Sequence, residues 1–125
     1  MALPGLFISK EGKMIKAIKR FWERGRKGYC YEDLWSFDNF LSKLIANGLR
    51  EFKQNCYSYP NDIDDWEEWM ATLEEMIECF DEQCRGMENV DGDFMQRWHK
   101  RMDNKKQKLH RGLELLEKYY YDLWD

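Results

Sequence analysis

Apolar residues recur at steps of three and four along most of this chain, and this spacing limits what it can fold into. The clearest run lies between residues 66 and 80 and consists of Trp66, Trp69, Met70, Leu73, Met76, Ile77 and Phe80. Because an α-helix turns once every 3.6 residues, these steps align the side chains on one face. Alternating runs of β-branched residues, which are typical of strands, do not occur. The sequence therefore predicts an all-α fold.

Three further stripes complete the predicted architecture, a helical bundle of three long helices plus a shorter basic amphipathic N-terminal helix. The N-terminal stripe consists of Met14, Ile15, Ile18, Phe21 and Trp22. The second helix should begin after Ser36, a good N-cap residue, and continue to about residue 55. The last stripe starts at Phe94 and resumes at Leu109. We predict one long helix there, projecting a polar turn into solvent, rather than a helix kinked within residues 103–108.

The ends and contacts of these helices can also be predicted. Asp62 or Asp64 is expected to cap the third helix, which should end near Arg85. Gly48 lies inside the second helix, where glycine costs about 1 kcal/mol relative to alanine. A close crossing with another helix at Gly48 would compensate for this cost.

Charge is distributed unevenly along the chain. The length of 125 residues predicts one helical domain, 1–125, in which residues 1–27 could form a separable basic helix. Residues 1–30 carry eight bases and two acids, residues 31–93 four bases and 17 acids, and residues 94–125 eight bases and five acids. Two interpretations stay open: the basic ends attract the acidic middle, or each surface serves a different partner. The net charge of −4 disfavours binding to duplex DNA.

The cysteines and hydropathy indicate a cytoplasmic protein rather than a secreted or membrane-spanning one. The four cysteines contain no C-x-x-C pair, and we expect them to be reduced. The N-terminal segment lacks the basic residues of a secretory signal, and no stretch of eighteen apolar residues could span a membrane. These features predict a cytoplasmic location.

No motif indicates an enzyme, so we predict no catalytic residues, no cofactor and no metal. His99 and His110 lie eleven residues apart, about 16 Å along a helix, and cannot share an ion. The phosphate-binding and nucleophile motifs of common enzyme families are missing. The carboxylates opposite the third stripe are expected to form a solvated face, and they are Glu74, Glu75, Glu78, Asp81 and Glu82.

Basic side chains next to aromatic residues are the candidate ligand-binding residues. Aromatic rings can stack on the nucleobase of a nucleotide, and guanidinium groups bind its phosphate. The predicted set consists of Arg20, Arg24, Arg26, Lys27 and Tyr29 near one end, and Arg97 and Arg101 near the other. Tyr57, Tyr59 and Tyr121 are candidates for the interface of a homo-oligomer, since tyrosine is enriched at interfaces. The basic N-terminal helix could also dock onto a partner, or onto a membrane surface, which is the less favoured of these alternatives.

The C-terminal aromatic cluster divides by helical position. Steps of four and three predict a buried seam of Leu109, Leu113, Leu116, Tyr120 and Leu123. Tyr119 and Trp124 should flank this seam and complete the core, whereas Tyr121 should lie on the outer face.

Three stretches together resemble a group of small helical proteins encoded by tailed bacteriophages and prophages. They are RKGYCYEDLWSFDNFLSKLIANGLREF, the YP…WEEWMATLEEMIECF segment and RGLELLEKYYYDLWD, and the resemblance covers about residues 26–125. The group has no assigned activity, so no site residue is implied. The resemblance implies a short accessory protein in an infected bacterium, where many phage proteins counteract host immunity by stoichiometric binding.

We therefore predict a non-enzymatic phage accessory protein that evades host defence, either by sequestering a nucleotide second messenger or by blocking a host defence protein. The alternative is an adaptor that docks onto a partner or a membrane surface through its basic N-terminal helix.

Overall fold

The computed structural model describes residues 10–86 and 94–124. These residues contain no strand, and their four helices confirm the predicted all-α fold. The helices are α1 (Lys10–Lys27), α2 (Phe37–Asn55), α3 (Trp66–Cys84) and α4 (Phe94–Tyr119). Two short 3₁₀ helices follow α1 and α4, at Tyr31–Ser36 and Tyr120–Asp122. None of the helices in these ranges is both long and apolar enough to cross a membrane.

The chain divides into two compact units, Met1–Phe37 and Asp38–Asp125. The first unit contains α1 and the 3₁₀ helix that follows it. Gly28 ends α1 because its φ of 88° leaves the helical conformation, and its N–H donates to the carbonyl of Arg24 at 2.8 Å. Glycine adopts this left-handed backbone without a steric cost, which is why it commonly terminates helices.

The second unit is built around α3. The side chains of Trp69, Leu73 and Met76 are fully buried, and they join a core with residues of α2 and α4. The N-cap is Asp65, whose Oδ1 accepts from the N–H of Glu68 at 2.7 Å, so the predicted caps were wrong by one to three residues. A carboxylate at this position also interacts favourably with the positive end of the helix.

Helix α4 crosses α3 closely at Gly112, not at the predicted Gly48. An added Cβ at Gly112 would lie 2.8 Å from the Cβ of Cys79 and 3.2 Å from Cε2 of Phe80. At Gly48 an added Cβ would meet nothing within 4 Å. The expected crossing at Gly48 is therefore absent within the described chain, and its glycine has no packing role there.

Lysine interrupts the stripe of α4 at residue 105 because its ammonium group caps α3. The Nζ of Lys105 donates to the carbonyls of Glu82 at 2.8 Å and Arg85 at 2.5 Å. Helices end with carbonyls that have no partner within the helix, and a lysine from a neighbouring helix can supply one. The prediction of one continuous helix is confirmed, but its polar turn does not project entirely into solvent, since Lys105 is only 8% exposed.

Glu82 does not belong to the solvated face that the sequence predicts for α3. Its side chain is buried, with 1% of the residue exposed, and ion pairs join it to Arg85 and Arg101. Lys108 adds a third positive charge at 3.9 Å. The spacing predicts that Glu82 lies opposite the apolar stripe of α3. The carboxylate is nevertheless covered, because α4 places Arg101 and Lys108 against that side of α3.

The buried face of the C-terminal segment is rotated relative to the predicted seam. Leu115 and Tyr119 are buried, and the rings of Tyr119 and Trp69 meet edge to face with centroids 5.3 Å apart. Leu113, Tyr120 and Trp124 are instead exposed. The rotation occurs because α4 packs on α3 through Gly112, so residues three and seven positions later point in the same direction.

Candidate functional site: the exposed face of helix α1

The apolar face of α1 consists of the five residues of the N-terminal stripe. Their exposure ranges from 59% at Ile18 to 77% at Phe21, and α1 contains no buried residue. At 100° per residue the five side chains fall within an arc of about 120°. A contiguous exposed apolar surface bordered by polar residues is typical of an interaction site. Hereafter we call Met14, Ile15, Ile18, Phe21 and Trp22 the apolar face.

Basic residues border the apolar face on both sides. The helical positions place Lys13 and Arg24 on one side of it and Lys19 and Arg26 on the other. In total α1 carries eight bases and two acids. Long basic side chains next to apolar surface can extend their charged ends away from it while their methylene groups stay in contact. Helix α1 thus presents an apolar strip between two rows of positive charge.

The turn after α1 is held to the helix by carboxylates. Asp33 accepts two hydrogen bonds from the Arg24 guanidinium, at 3.0 and 2.8 Å, and a third from the N–H of Cys30 at 2.8 Å. Glu32 lies 3.6 Å from Nε of Arg20. The bonds from Arg24 and Cys30 lower the pKa of Asp33 well below its usual range. Both carboxylates contact basic side chains of α1, and among the described residues the apolar face stays exposed.

Replacing Asp33 with asparagine is expected to release the turn from α1. The carboxylate is the charged partner of Arg24, and its amide replacement cannot form the same paired contact. We expect faster amide hydrogen exchange at residues 30–36, measured by mass spectrometry. Glu23→Gln is the control because, among the described residues, Glu23 pairs only within α1, with Lys27 at 3.5 Å. Equal exchange in both variants would contradict the assigned role of Asp33.

The same contact should depend on pH in one direction. Because folding lowers the pKa of Asp33, the contact stabilises the folded unit fully above the carboxyl's unfolded pKa of about 3.9. This stabilisation decreases as the pH falls from there towards the lower folded pKa. Exchange in residues 30–36 should therefore be constant above about pH 5 once corrected for its intrinsic pH dependence.

The predicted ligand-binding residues lie in both units and have different partners. Arg20 and Arg24 contact Glu32 and Asp33, and Arg101 contacts Glu82. Lys27 pairs with Glu23, whereas neither Arg26 nor Arg97 forms an ion pair with a described residue. Tyr29 follows the end of α1 and is exposed. Carboxylates therefore already pair with Arg20, Arg24 and Arg101, three of the arginines that would bind phosphate in a nucleotide.

The predicted interface tyrosines are all exposed. Tyr59 packs edge to face on Trp66, with ring centroids 6.5 Å apart, and Tyr121 packs on Tyr120 at 5.4 Å. Tyr57 is the most exposed of the three. Their role in an oligomer stays a prediction.

The predicted contacts of α1 were its bases, and its apolar face was not among them. Whether the stripe that contains Phe21 and Trp22 packs on the bundle or contacts a partner was left open. Helices packed in a bundle also carry charges beside their apolar stripe, so spacing alone does not separate the two cases.

The described residues offer little for metal or thiol chemistry. None of their His, Cys, Asp and Glu side chains form a group of three or more that could hold a metal ion. All four cysteines are free thiols, and burial raises the pKa of Cys79 and Cys84. A raised pKa lowers the fraction of thiolate and hence the reactivity.

Comparison with protein-family models, with curated proteins and with solved structures found no match to this chain.

Proposed function

We propose that the protein is a non-enzymatic adaptor that docks onto an anionic membrane surface through helix α1. The main observation in support is the apolar face of α1. Its five residues are 59% to 77% exposed, and basic residues border it on both sides. Helices of this kind lie in the plane of the membrane, with the apolar side chains among the acyl chains and the bases at the headgroups.

The energetics favour such docking. Full burial of a large apolar side chain contributes about 1.5–3 kcal/mol, and the apolar face has five. Each base near an anionic surface contributes about 1 kcal/mol more at low salt. The excess of six positive charges on α1 therefore supports attraction to anionic lipids in particular.

Lysine content favours a membrane over a protein groove as the target of α1. Five of its eight bases are lysines, namely Lys10, Lys13, Lys16, Lys19 and Lys27. Protein–protein interfaces are depleted in lysine, whereas membrane-surface helices are enriched in it. The exposed pair Tyr31 and Trp35, with ring centroids 6.2 Å apart, adds aromatic side chains of the kind found at membrane interfaces.

Nucleotide sequestration has less support from the geometry. Arg20 and Arg24 would have to exchange Glu32 and Asp33 for a phosphate. Blocking of a host defence protein, which the phage resemblance implies, stays a prediction that the adaptor proposal neither requires nor excludes.

Flotation with lipid vesicles tests the proposal. The full-length chain should float with vesicles containing phosphatidylglycerol and stay in the dense layer with pure phosphatidylcholine. The double variant Phe21→Glu with Trp22→Glu should lose more than about 100-fold in partitioning, because two large apolar contributions are removed. Both side chains are exposed, so the variant is expected to fold.

Tyr120→Glu with Tyr121→Glu is the matched control, since it introduces the same two negative charges at exposed aromatic residues of the second unit. Flotation of this control should equal that of the unmodified chain. Equal flotation of the double variant and the unmodified chain would contradict docking through the apolar face.

A further inference from the structure

A second apolar surface lies in the Asp38–Asp125 unit, separate from helix α1. It is a groove of about 290 Å³ between α2 and the C-terminal segment. Leu44, Ile45 and Gly48 form its α2 side, and Leu116 and Leu123 form the other. Leu44 is 57% exposed, and Leu113 is exposed nearby on α4. The groove is therefore open and apolar.

Gly48 gives this groove a floor without a side chain. Glycine inside a helix costs about 1 kcal/mol relative to alanine. At Gly112 the close contact with Cys79 explains why glycine is present despite this cost. At Gly48 no atom lies within 4 Å of an added Cβ, so no contact within the described chain requires glycine. A glycine at the floor of a groove allows another backbone to approach closely.

Three acidic residues neighbour the lining of the groove by position. At 100° per residue Glu51 lies beside the lining residue Leu44 on the surface of α2, and Glu117 and Asp122 are next to Leu116 and Leu123 in the sequence. We call Glu51, Glu117 and Asp122 the acidic rim. The bases on this part of α2 are directed elsewhere, since Arg50 pairs with Asp81 and Lys53 with Glu74 at 2.8 Å. Lys43 is exposed but lies farther around α2 from the groove.

We propose that this groove binds a basic amphipathic helix of a partner protein. Apolar side chains spaced by three and four residues would fill the groove above Gly48, in the manner of other helix-in-groove complexes. Bases on the helix would face Glu51, Glu117 and Asp122. Pairing of the groove with the same groove of a second copy is disfavoured, because it would bring two acidic rims together. The proposal does not depend on membrane docking by α1.

Binding of a model peptide tests the inference. The probe is a fluorescent 18-residue peptide of leucine and lysine, with leucines at steps of three and four, and its counterpart carries glutamate in place of lysine. Anisotropy titrations with the full-length chain should show binding of the lysine peptide and not of the glutamate peptide. Gly48→Leu should weaken binding at least tenfold because the leucine fills the groove. Nothing lies within 4 Å of an added Cβ at this position, and leucine favours a helix more than glycine does. This variant should therefore keep its helical circular dichroism and melt no lower than the unmodified chain.

Charge-matched variants separate the rim from general attraction between a basic peptide and an acidic protein. Glu51→Gln with Glu117→Gln should weaken binding several-fold more than Glu67→Gln with Asp103→Asn, which removes the same charge from exposed positions outside the lining. Equal binding by Gly48→Leu and the unmodified chain, or equal effects of the two double variants, would overturn the proposal. Self-association of the unmodified chain that Gly48→Leu abolishes would assign the groove to a second copy and would also overturn it.

Discussion

Replacing Lys105 with methionine is expected to lower the free energy of unfolding by about 2–3 kcal/mol. Methionine keeps the length and most of the apolar stem of the side chain but has no donor. The carbonyls of Glu82 and Arg85 at the end of α3 would lose a charged hydrogen-bond donor in a site where Lys105 is 8% exposed. Both carbonyls belong to the same helix end, which is why we expect a large change.

Urea unfolding monitored by circular dichroism measures this loss. The slope of free energy against urea should be unchanged, so that the midpoint alone moves. Lys106→Met is the control, because Lys106 is the exposed neighbour of Lys105 on the same helix. A midpoint for Lys105→Met within error of that for Lys106→Met would show that the ammonium group does not stabilise the end of α3.

Two identical substitutions, Gly112→Ala and Gly48→Ala, are expected to change stability in opposite directions. Alanine in a helix is favoured over glycine by up to about 1 kcal/mol, and at Gly48 nothing opposes this gain. At Gly112 the new methyl would lie 2.8 Å from the Cβ of Cys79, which is fixed to the backbone of α3. Separation of α3 and α4 should cost about 1–3 kcal/mol and exceed the gain in helix propensity.

Thermal and urea unfolding of the two variants in parallel provide the measurement. Gly48→Ala should raise the midpoint and Gly112→Ala should lower it. In a Cys79→Gly background, which lacks the opposing Cβ, Gly112→Ala should lower the midpoint by less than it does in the unmodified chain. Stabilisation by both alanine substitutions would contradict the close approach of α3 and α4 at Gly112.

Much of the fold could be predicted because helix periodicity is a local property of the sequence. The stripe of α3 identifies a helix with one apolar face, and the structure places Trp69, Leu73 and Met76 of that face in the core, although Trp66 at its start is exposed. The predicted start after Ser36 and the predicted end near residue 55 agree with the helix α2, which spans Phe37–Asn55. Periodicity also predicted that α4 continues through Lys105.

What could not be predicted depends on which helix lies against which. Lys105 and Glu82 look like surface residues until α4 brings Lys105 and Arg101 against the end of α3. Gly48 and Gly112 are both helix-interior glycines in the sequence, and only the position of α3 distinguishes them. The C-terminal seam was rotated for the same reason, since contact through Gly112 selects Leu115 and Tyr119 as the buried residues.

The candidate site on α1 was partly predictable. The sequence identified a basic amphipathic helix and named a membrane surface among its targets. Arg20 and Arg24 were predicted to bind phosphate, and their contacts with Glu32 and Asp33 were not predicted. These carboxylates follow a turn at Gly28, and the path of that turn cannot be derived from helix periodicity. The choice between a bundle-facing stripe and an open one needed the exposed fraction of each side chain, which spacing does not supply.

Insertion of Trp22 into the acyl region of anionic vesicles tests the central claim most directly. The difference between the fluorescence of the unmodified chain and that of Trp22→Phe isolates Trp22 from the other five tryptophans. With vesicles containing phosphatidylglycerol, this difference emission should shift to shorter wavelength and be quenched by lipids brominated on their acyl chains. Both effects should decrease when binding takes place at higher salt, because salt screens the attraction between the bases of α1 and the lipid headgroups. The lipid concentration is set so that a peptide of the α1 sequence binds the same phosphatidylglycerol vesicles. If the emission of Trp22 is neither shifted nor quenched under these conditions, docking of the protein through the apolar face is contradicted.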